Sequence, residues 1–188
     1  MKIFRYNHYL VYKYINTEIN INEIDKVKKL NKSDILKSKF LSQRKDIFLN
    51  FLENKLIGFG IYNEKEKDFV GYSWLSIKNY SKKNPDQIKK LPEKSAWIFY
   101  QRVSENYQGH GYQKIMIQKS IDYVNKNFKG YNIYIDTRED NIPSRKNILK
   151  SGFKEDGILT NFIIGSKRSK LTYIQINIWE KNKKHPDL

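Results

Sequence analysis

The fold is decided by Val103 to Gln113, Val-Ser-Glu-Asn-Tyr-Gln-Gly-His-Gly-Tyr-Gln. Ahead of it, Ala96-Trp97-Ile98-Phe99-Tyr100-Gln101-Arg102-Val103 is aromatic and β-branched, which suits a buried strand better than a helix. Behind it, Ile117, Ile121, Val124 and Phe128 recur at helical spacing, giving one apolar face. Between the two, Gly109 and Gly111 open backbone angles closed to other residues. The N–H groups of the turn and of the first helical turn then converge on one spot. Such a strand, glycine turn and helix form an anion site, with phosphate the usual occupant. Gly-x-Gly alone is equally well an ordinary turn, so the following segment carries weight.

That segment supplies a second strand, Tyr131-Asn132-Ile133-Tyr134-Ile135-Asp136, and then Asn141-Ile142-Pro143-Ser144-Arg145-Lys146-Asn147-Ile148-Leu149-Lys150-Ser151-Gly152-Phe153. Pro143 fits the first turn of a short helix and Gly152 its left-handed end. At this point the chain resembles the GNAT superfamily of acetyl-CoA-dependent N-acetyltransferases. Gln108-Gly109-His110-Gly111-Tyr112-Gln113 is similar to the family's Arg/Gln-x-x-Gly-x-Gly/Ala pyrophosphate loop, and Asn141 to Phe153 to its second signature. The likeness is best over 53–179, with 1–52 as a variable N-terminal part of one domain over 1–188. It implies an α/β (α+β) fold, a mixed central sheet of about six or seven strands flanked by about four helices.

The resemblance further implies that acetyl-CoA is the cosubstrate. Arg102, Val103, Gln108, Gly109, His110, Gly111, Tyr112, Gln113, Asn141 and Ser144 are then the residues that hold it. Its pantetheine arm would lie along the central strand, with the Val103 N–H polarising the thioester carbonyl. Asn141 would touch the arm, or serve as a helix cap. Gln113 departs from the family's Gly or Ala, although a residue already inside the helix could point its side chain away. The family's general-acid tyrosine position is Ile148, and 96–103 has no carboxylate to act as base. Tyr100 or Tyr107 as acid with Glu93 or Glu105 as base is one account. Unassisted departure of the thiolate is a second, and acyl-CoA binding without catalysis a third.

Composition bounds these readings. A chain of 188 residues with 39% apolar and 14% aromatic residues is long enough for one core and short for two. Without cysteine, disulfides, thiolate metal sites and a covalent thiol intermediate are excluded, leaving direct transfer. The three histidines, His8, His110 and His185, show no ligand spacing, so no metal is expected. The N-terminus lacks a signal-peptide pattern and no run approaches the roughly 18 apolar residues of a membrane span. A cytoplasmic protein, as a monomer or a homodimer, is the expectation. A net charge of +16 fits an anionic partner such as nucleic acid, or an ordinary basic surface.

Elsewhere, Tyr9 to Ile15 reads as the first strand, and 20–52 as two helices, one carrying Ile24, Val27 and Leu30, the other Ile47, Phe48, Phe51 and Leu52. Leu56–Tyr62 and Phe69–Ile77 read as a hairpin in which Gly58, Gly60 and Gly71 mark tight twisting or close approach of another backbone. Asn79–Lys94 is a long connection that either builds the acceptor site or is plain surface. Leu171–Trp179 is the last strand, preceded by the basic tract Lys167-Arg168-Ser169-Lys170. Asn-Ile-Pro-Ser at 141–144, Gly-Tyr-Ser-Trp-Leu-Ser at 71–76 and the long connection resemble GNAT members of polysaccharide or cell-envelope biosynthesis. The expected acceptor is therefore a small-molecule amine, a nucleotide-linked amino sugar. The alternatives are aminoacyl-tRNA, another nucleic-acid-associated acceptor, or a silent acyl-CoA-binding domain.

Overall fold

Alternation along the central strands sorts side chains onto two faces. Trp74, Trp97 and Tyr134 point one way, into a core rich in aromatic rings; Leu75, Ile98 and Ile135 point the other, into a mainly aliphatic core. The computed structural model describes residues 4–15, 24–78, 92–164 and 174–183. Eight strands form one sheet: β1 (Phe4–Tyr14), β2 (Val27–Lys29), β3 (Ile57–Asn63), β4 (Asp68–Ile77), β5 (Ser95–Val103), β6 (Asn132–Arg138), β7 (Phe153–Ile164) and β8 (Ile174–Lys181). Five helices accompany them: α1 (Lys32–Lys37), α2 (Lys39–Ser42), α3 (Lys45–Glu53), α4 (Tyr112–Asn127) and α5 (Ile142–Lys150). The expected mixed sheet is thus present, with one more strand and one more helix than the upper expectation.

The strand order is β2-β3-β4-β5-β6-β1-β7-β8. Only β5 and β6 pair in parallel, joined by α4 as the crossover that parallel neighbours require. The N-terminal strand, which starts earlier than expected, lies in the sheet interior between β6 and β7, antiparallel to both. α4 packs Ile115, Met116, Ile117, Ile121 and Val124 on the aliphatic face, with Ile148 of α5 beside them. α1, α2 and α3 cover the aromatic face through Ile35, Leu41, Phe48 and Phe51.

The expected helix through Ile24, Val27 and Leu30 is corrected. Residues 24–26 make a single 3-10 turn, and Val27 then begins a strand paired to Ile61. Val27 is buried while Lys28 and Lys29 face outward, so a three-residue apolar spacing arises here without a helix. The helix begins only at Asn31, whose side chain accepts from Asp34 N–H at 3.0 Å while Asp34 accepts from Asn31 N–H at 2.9 Å. This reciprocal cap fixes its start. The long connection 79–91, the basic tract 167–170, residues 171–173 and the tail 184–188 with His185 lie outside the described residues. Among the described residues no helix is long and apolar enough to cross a membrane, and no group of three or more His, Cys, Asp and Glu side chains is placed to hold a metal ion.

The hairpin glycines are explained by side chains rather than backbone. A Cβ at Gly60 would stand 2.6 Å from Phe69 and 2.7 Å from Leu30, and one at Gly58 would stand 2.9 Å from Trp74. Phe69 and Leu30 are buried and have little room to move. Gly60→Ala should therefore cost about 1–3 kcal/mol in urea unfolding; a change within about 0.5 kcal/mol, typical of open surface, would contradict this packing.

Candidate active site

The site grows from a mismatch in β5. Tyr72 pairs with Arg102 and Trp74 with Phe99, so one residue of β4, Ser73, opposes two of β5 and the surplus forms a bulge at Tyr100 and Gln101. Tyr100 takes the left-handed conformation, φ 51°, which costs a non-glycine residue about 1–2 kcal/mol. Bulges bend a strand and re-aim its side chains. Here the parallel pairing of β5 with β6 ends at Ile98 and Ile135, although β5 runs on to Val103 and β6 to Arg138. On the β4 side the pairing continues to Gly71 and Val103. From Phe99 onward β5 thus has a strand on one side and, among the described residues, no strand partner on the other, where the parted strands leave a cleft between them.

The glycine turn lies at the end of that cleft. Ser104 N–H donates to Val70 O at 2.8 Å, a short 3-10 turn covers Glu105–Tyr107, and α4 starts behind Gly111. Gly109 and Gly111 have φ of 82° and 76°, and no atom stands within 4 Å of where their Cβ would be. The α4 N-terminus has no side-chain cap, so its first N–H groups are available beside the positive end of a 16-residue helix. His110 holds the turn, its Nδ1–H donating to Gln108 O at 3.0 Å, and Gln108 reaches back to Val103 O at 3.5 Å. Tyr107 and Tyr112 stack across the turn at 6.3 Å. Open space over two glycines and uncapped amides beside an unpaired strand edge fit the diphosphate and extended arm of acetyl-CoA.

Gln113 does not point its side chain away; it faces inward. Its amide donates to Ser144 Oγ at 3.0 Å and Gln101 Oε1 at 3.3 Å, and its carbonyl oxygen accepts from Asn147 at 3.0 Å. Gln101 in turn donates to Ser73 Oγ at 3.0 Å. A polar clasp therefore links the first turn of α4 to the β5 bulge and to α5. Asn141 is the cap of α5, its side-chain oxygen accepting Ser144 N–H at 3.2 Å, so Asn141 and Ser144 both have structural work here. Arg102 is exposed at the rim, 3.8 Å from Glu105.

Of the residues expected to move protons, Tyr100 alone sits beside the cleft, half-buried and stacked on Tyr72 at 6.1 Å. Tyr107 lies in the 3-10 turn leading to the glycines, where its hydroxyl donates to Glu66 Oε1 at 2.5 Å in the β3–β4 turn, and that bond pushes its pKa up to about 12. Glu93 stands ahead of β5, exposed and 3.9 Å from Lys78. The left-handed Lys94 and then five strand residues, Ser95 to Phe99, separate it from the bulge. Neither is placed to serve the cleft. Ile148 is fully buried and offers no acid.

One carboxylate overlooked in the sequence is placed there. Asp136 is the first β6 residue past the last parallel pair, and Trp97 Nε1–H donates to its Oδ1 at 2.6 Å. Burial, opposed by that bond, pushes its pKa up from 3.8 to about 6. The only signal in sequence was an acid closing an otherwise apolar strand. The folded state therefore keeps a proton that the unfolded chain releases between about pH 4 and 6. Stability from that proton is full below this window and gone above it, a swing of up to about 3 kcal/mol. Relative to the parent, Asp136→Asn should be more stable in urea at pH 7.5 than at pH 4; an equal difference at both would contradict the shift.

The family model of the GNAT acetyltransferases matches residues 22–153. Among solved structures, a GNAT-family acetyltransferase from Novosphingobium aromaticivorans superposes with a TM-score of 0.63 at 11% identity, over 88% of this chain and 69% of that one. One from Colwellia psychrerythraea gives 0.54 at 15% identity over 81% of this chain, which spans 53%, about half, of that protein. An aminoglycoside N-acetyltransferase in complex with CoA gives 0.51 at 18% identity, over 69% of this chain and 91% of that one. No curated protein matches the sequence significantly. With the family model covering β2 to the start of β7, and with the parted strands and glycine turn inside it, the chain belongs to the GNAT family of acetyltransferases.

Proposed function

We propose that this protein transfers the acetyl group of acetyl-CoA directly to the primary amine of a small molecule, with an amino sugar as acceptor. The reading rests above all on the unpaired side of β5 from Phe99 to Val103, flanked by the open turn at Gly109 and Gly111. Gln108 to Gln113 hold the diphosphate through backbone N–H groups, and Gly111 leaves it room. Val103 and its neighbours offer the strand edge along which the arm hydrogen-bonds, so that the thioester is brought toward the bulge.

The acceptor enters from the aromatic face. Tyr100, Tyr72 and Phe40 are clustered there, with Tyr72 and Tyr100 stacked and Phe40 tilted against Tyr72 at 5.6 Å. Aromatic faces with a polar edge suit a sugar ring, which is apolar above and hydroxylated at its rim. The aminoglycoside acetyltransferase among the structural neighbours also has an amino sugar in its name. Among the described residues, exposed lysines and arginines are spread over β2, α1, α3, the β3–β4 turn, α5 and β8. A spread of this kind favours a basic surface over a nucleic-acid platform.

Two outcomes are expected. Purified protein given acetyl-CoA and a panel of amino sugars, polyamines and peptides should release free thiol fastest with an amino sugar; no release with any amine would overturn transfer. Gly111→Glu should abolish acetyl-CoA binding in calorimetry at a stability cost of about 1–2 kcal/mol from its left-handed backbone; unchanged affinity would remove the turn from the site.

A further inference from the structure

We propose that Asp136 is the general base that takes the proton from the acceptor's ammonium group, an inference that rests on the acetyl transfer proposed above. Its position follows from the sheet. Asp136 stands at the point where β6 parts from β5, with Phe99 and the Tyr100 bulge on the opposite bank. Alternation along β6 puts it on the face of Tyr134, away from Ile135 and α4. The coenzyme's phosphates sit at the α4 N-terminus and the acceptor arrives over the aromatic face, so the two reactants meet beside this carboxylate.

The carboxylate is held but not neutralised. Trp97, fully buried, donates to it and is itself fixed by Tyr134, stacked at 5.7 Å, and by Trp179, edge-on at 5.6 Å. Among the described residues its only other partner is its own backbone. The groups around it are Tyr134 and Arg138 on β6, Tyr9 and Val11 on the adjoining β1, and Trp97 on β5. Arg138 is engaged by Asp140 at 2.7 Å, and no neighbouring charge contributes to the shift of Asp136. Enclosed carboxylates with a structural role are nearly always paired with a cation. Among the described residues no lysine or arginine is paired with Asp136. A carboxylate raised to about 6 is still ionised at neutral pH, yet is a stronger base than one on the surface.

The step balances as follows. Asp136 removes one proton from the ammonium group, and the freed nitrogen pair forms the C–N bond to the thioester carbonyl carbon. The C–S bond breaks with its electron pair on sulfur. The further proton that nitrogen loses on becoming an amide ends on sulfur, giving the thiol, and protonated Asp136 returns its proton to water.

The test compares the full chain with Asp136→Asn and Asp136→Glu, using acetyl-CoA and glucosamine from pH 5 to 9. Asp136→Asn should lower kcat about a hundredfold or more and lose the acidic limb of kcat/KM near pH 6, while acetyl-CoA binding in calorimetry stays at the parent value. Asp136→Glu should recover part of the rate. Retention of kcat within about threefold, or of the limb, in Asp136→Asn overturns the proposal while leaving transfer intact. Carbon-13 NMR of labelled aspartate carboxyls needs no acceptor: a resonance titrating near pH 6 that vanishes in Asp136→Asn is expected, and its absence in the parent overturns the base assignment. Failure of the parent to bind acetyl-CoA, or to release thiol with glucosamine, counts instead against the coenzyme or the acceptor, and the carboxyl resonance then decides Asp136 alone.

Discussion

The structure depends on the parting of two parallel strands. A hydrogen-bonded ladder that stops after Ile98 and Ile135 leaves backbone groups of β5 facing a cleft, and buried backbone groups need partners. The extra residue at Tyr100 and Gln101 turns β5 while β4 continues to support its other edge. The crossover helix that parallel pairing requires then begins at the end of that edge, with its amides uncapped. Strand edge, helix end and cleft are three consequences of one geometry.

The two faces divide the labour. Aliphatic packing of α4 against the sheet fixes the helix whose N-terminus would meet the phosphates. The opposite face is built from large rings, Trp74, Trp97, Tyr134, Phe48 and Phe51 among them, packed edge-to-face, tilted or stacked. Rings of this size hold the Trp97 indole in place, so the carboxylate it bonds is positioned to well within a rotamer's spread. Both the left-handed Tyr100 and the unneutralised Asp136 oppose stability, and both lie at the parting of the strands. Strain and unfavourable ionisation concentrated at one spot are what a working site leaves in an otherwise consistent fold.

The strand, glycine turn and helix from Ala96 to Phe128 were legible in the sequence because their signals are local: a β-branched run, two glycines and a helical period. The hairpin and the Asn141 to Gly152 helix were legible for the same reason. Ile24, Val27 and Leu30 misled because a 3-10 turn running into a strand can reproduce helical spacing. The insertion of β1 between β6 and β7 is a matter of long-range pairing that no local pattern records. The direction of Gln113 was not legible, because partners 12 and 31 residues away draw it in. Glu93 and Tyr107 stand out by residue type alone, whereas the fold sets Glu93 in the bend ahead of β5 and Tyr107 in the 3-10 turn after it. Asp136 was passed over because its chemistry comes from burial and from an indole 39 residues distant.

The central claim, that acetyl-CoA lies along the free edge of β5 with its diphosphate at the start of α4, is tested most directly by residue-resolved amide hydrogen exchange with and without acetyl-CoA. The account predicts new protection at Tyr112, Gln113 and Lys114 and along Phe99 to Val103. Protection confined to other parts of the sheet, or none on adding acetyl-CoA, would contradict it.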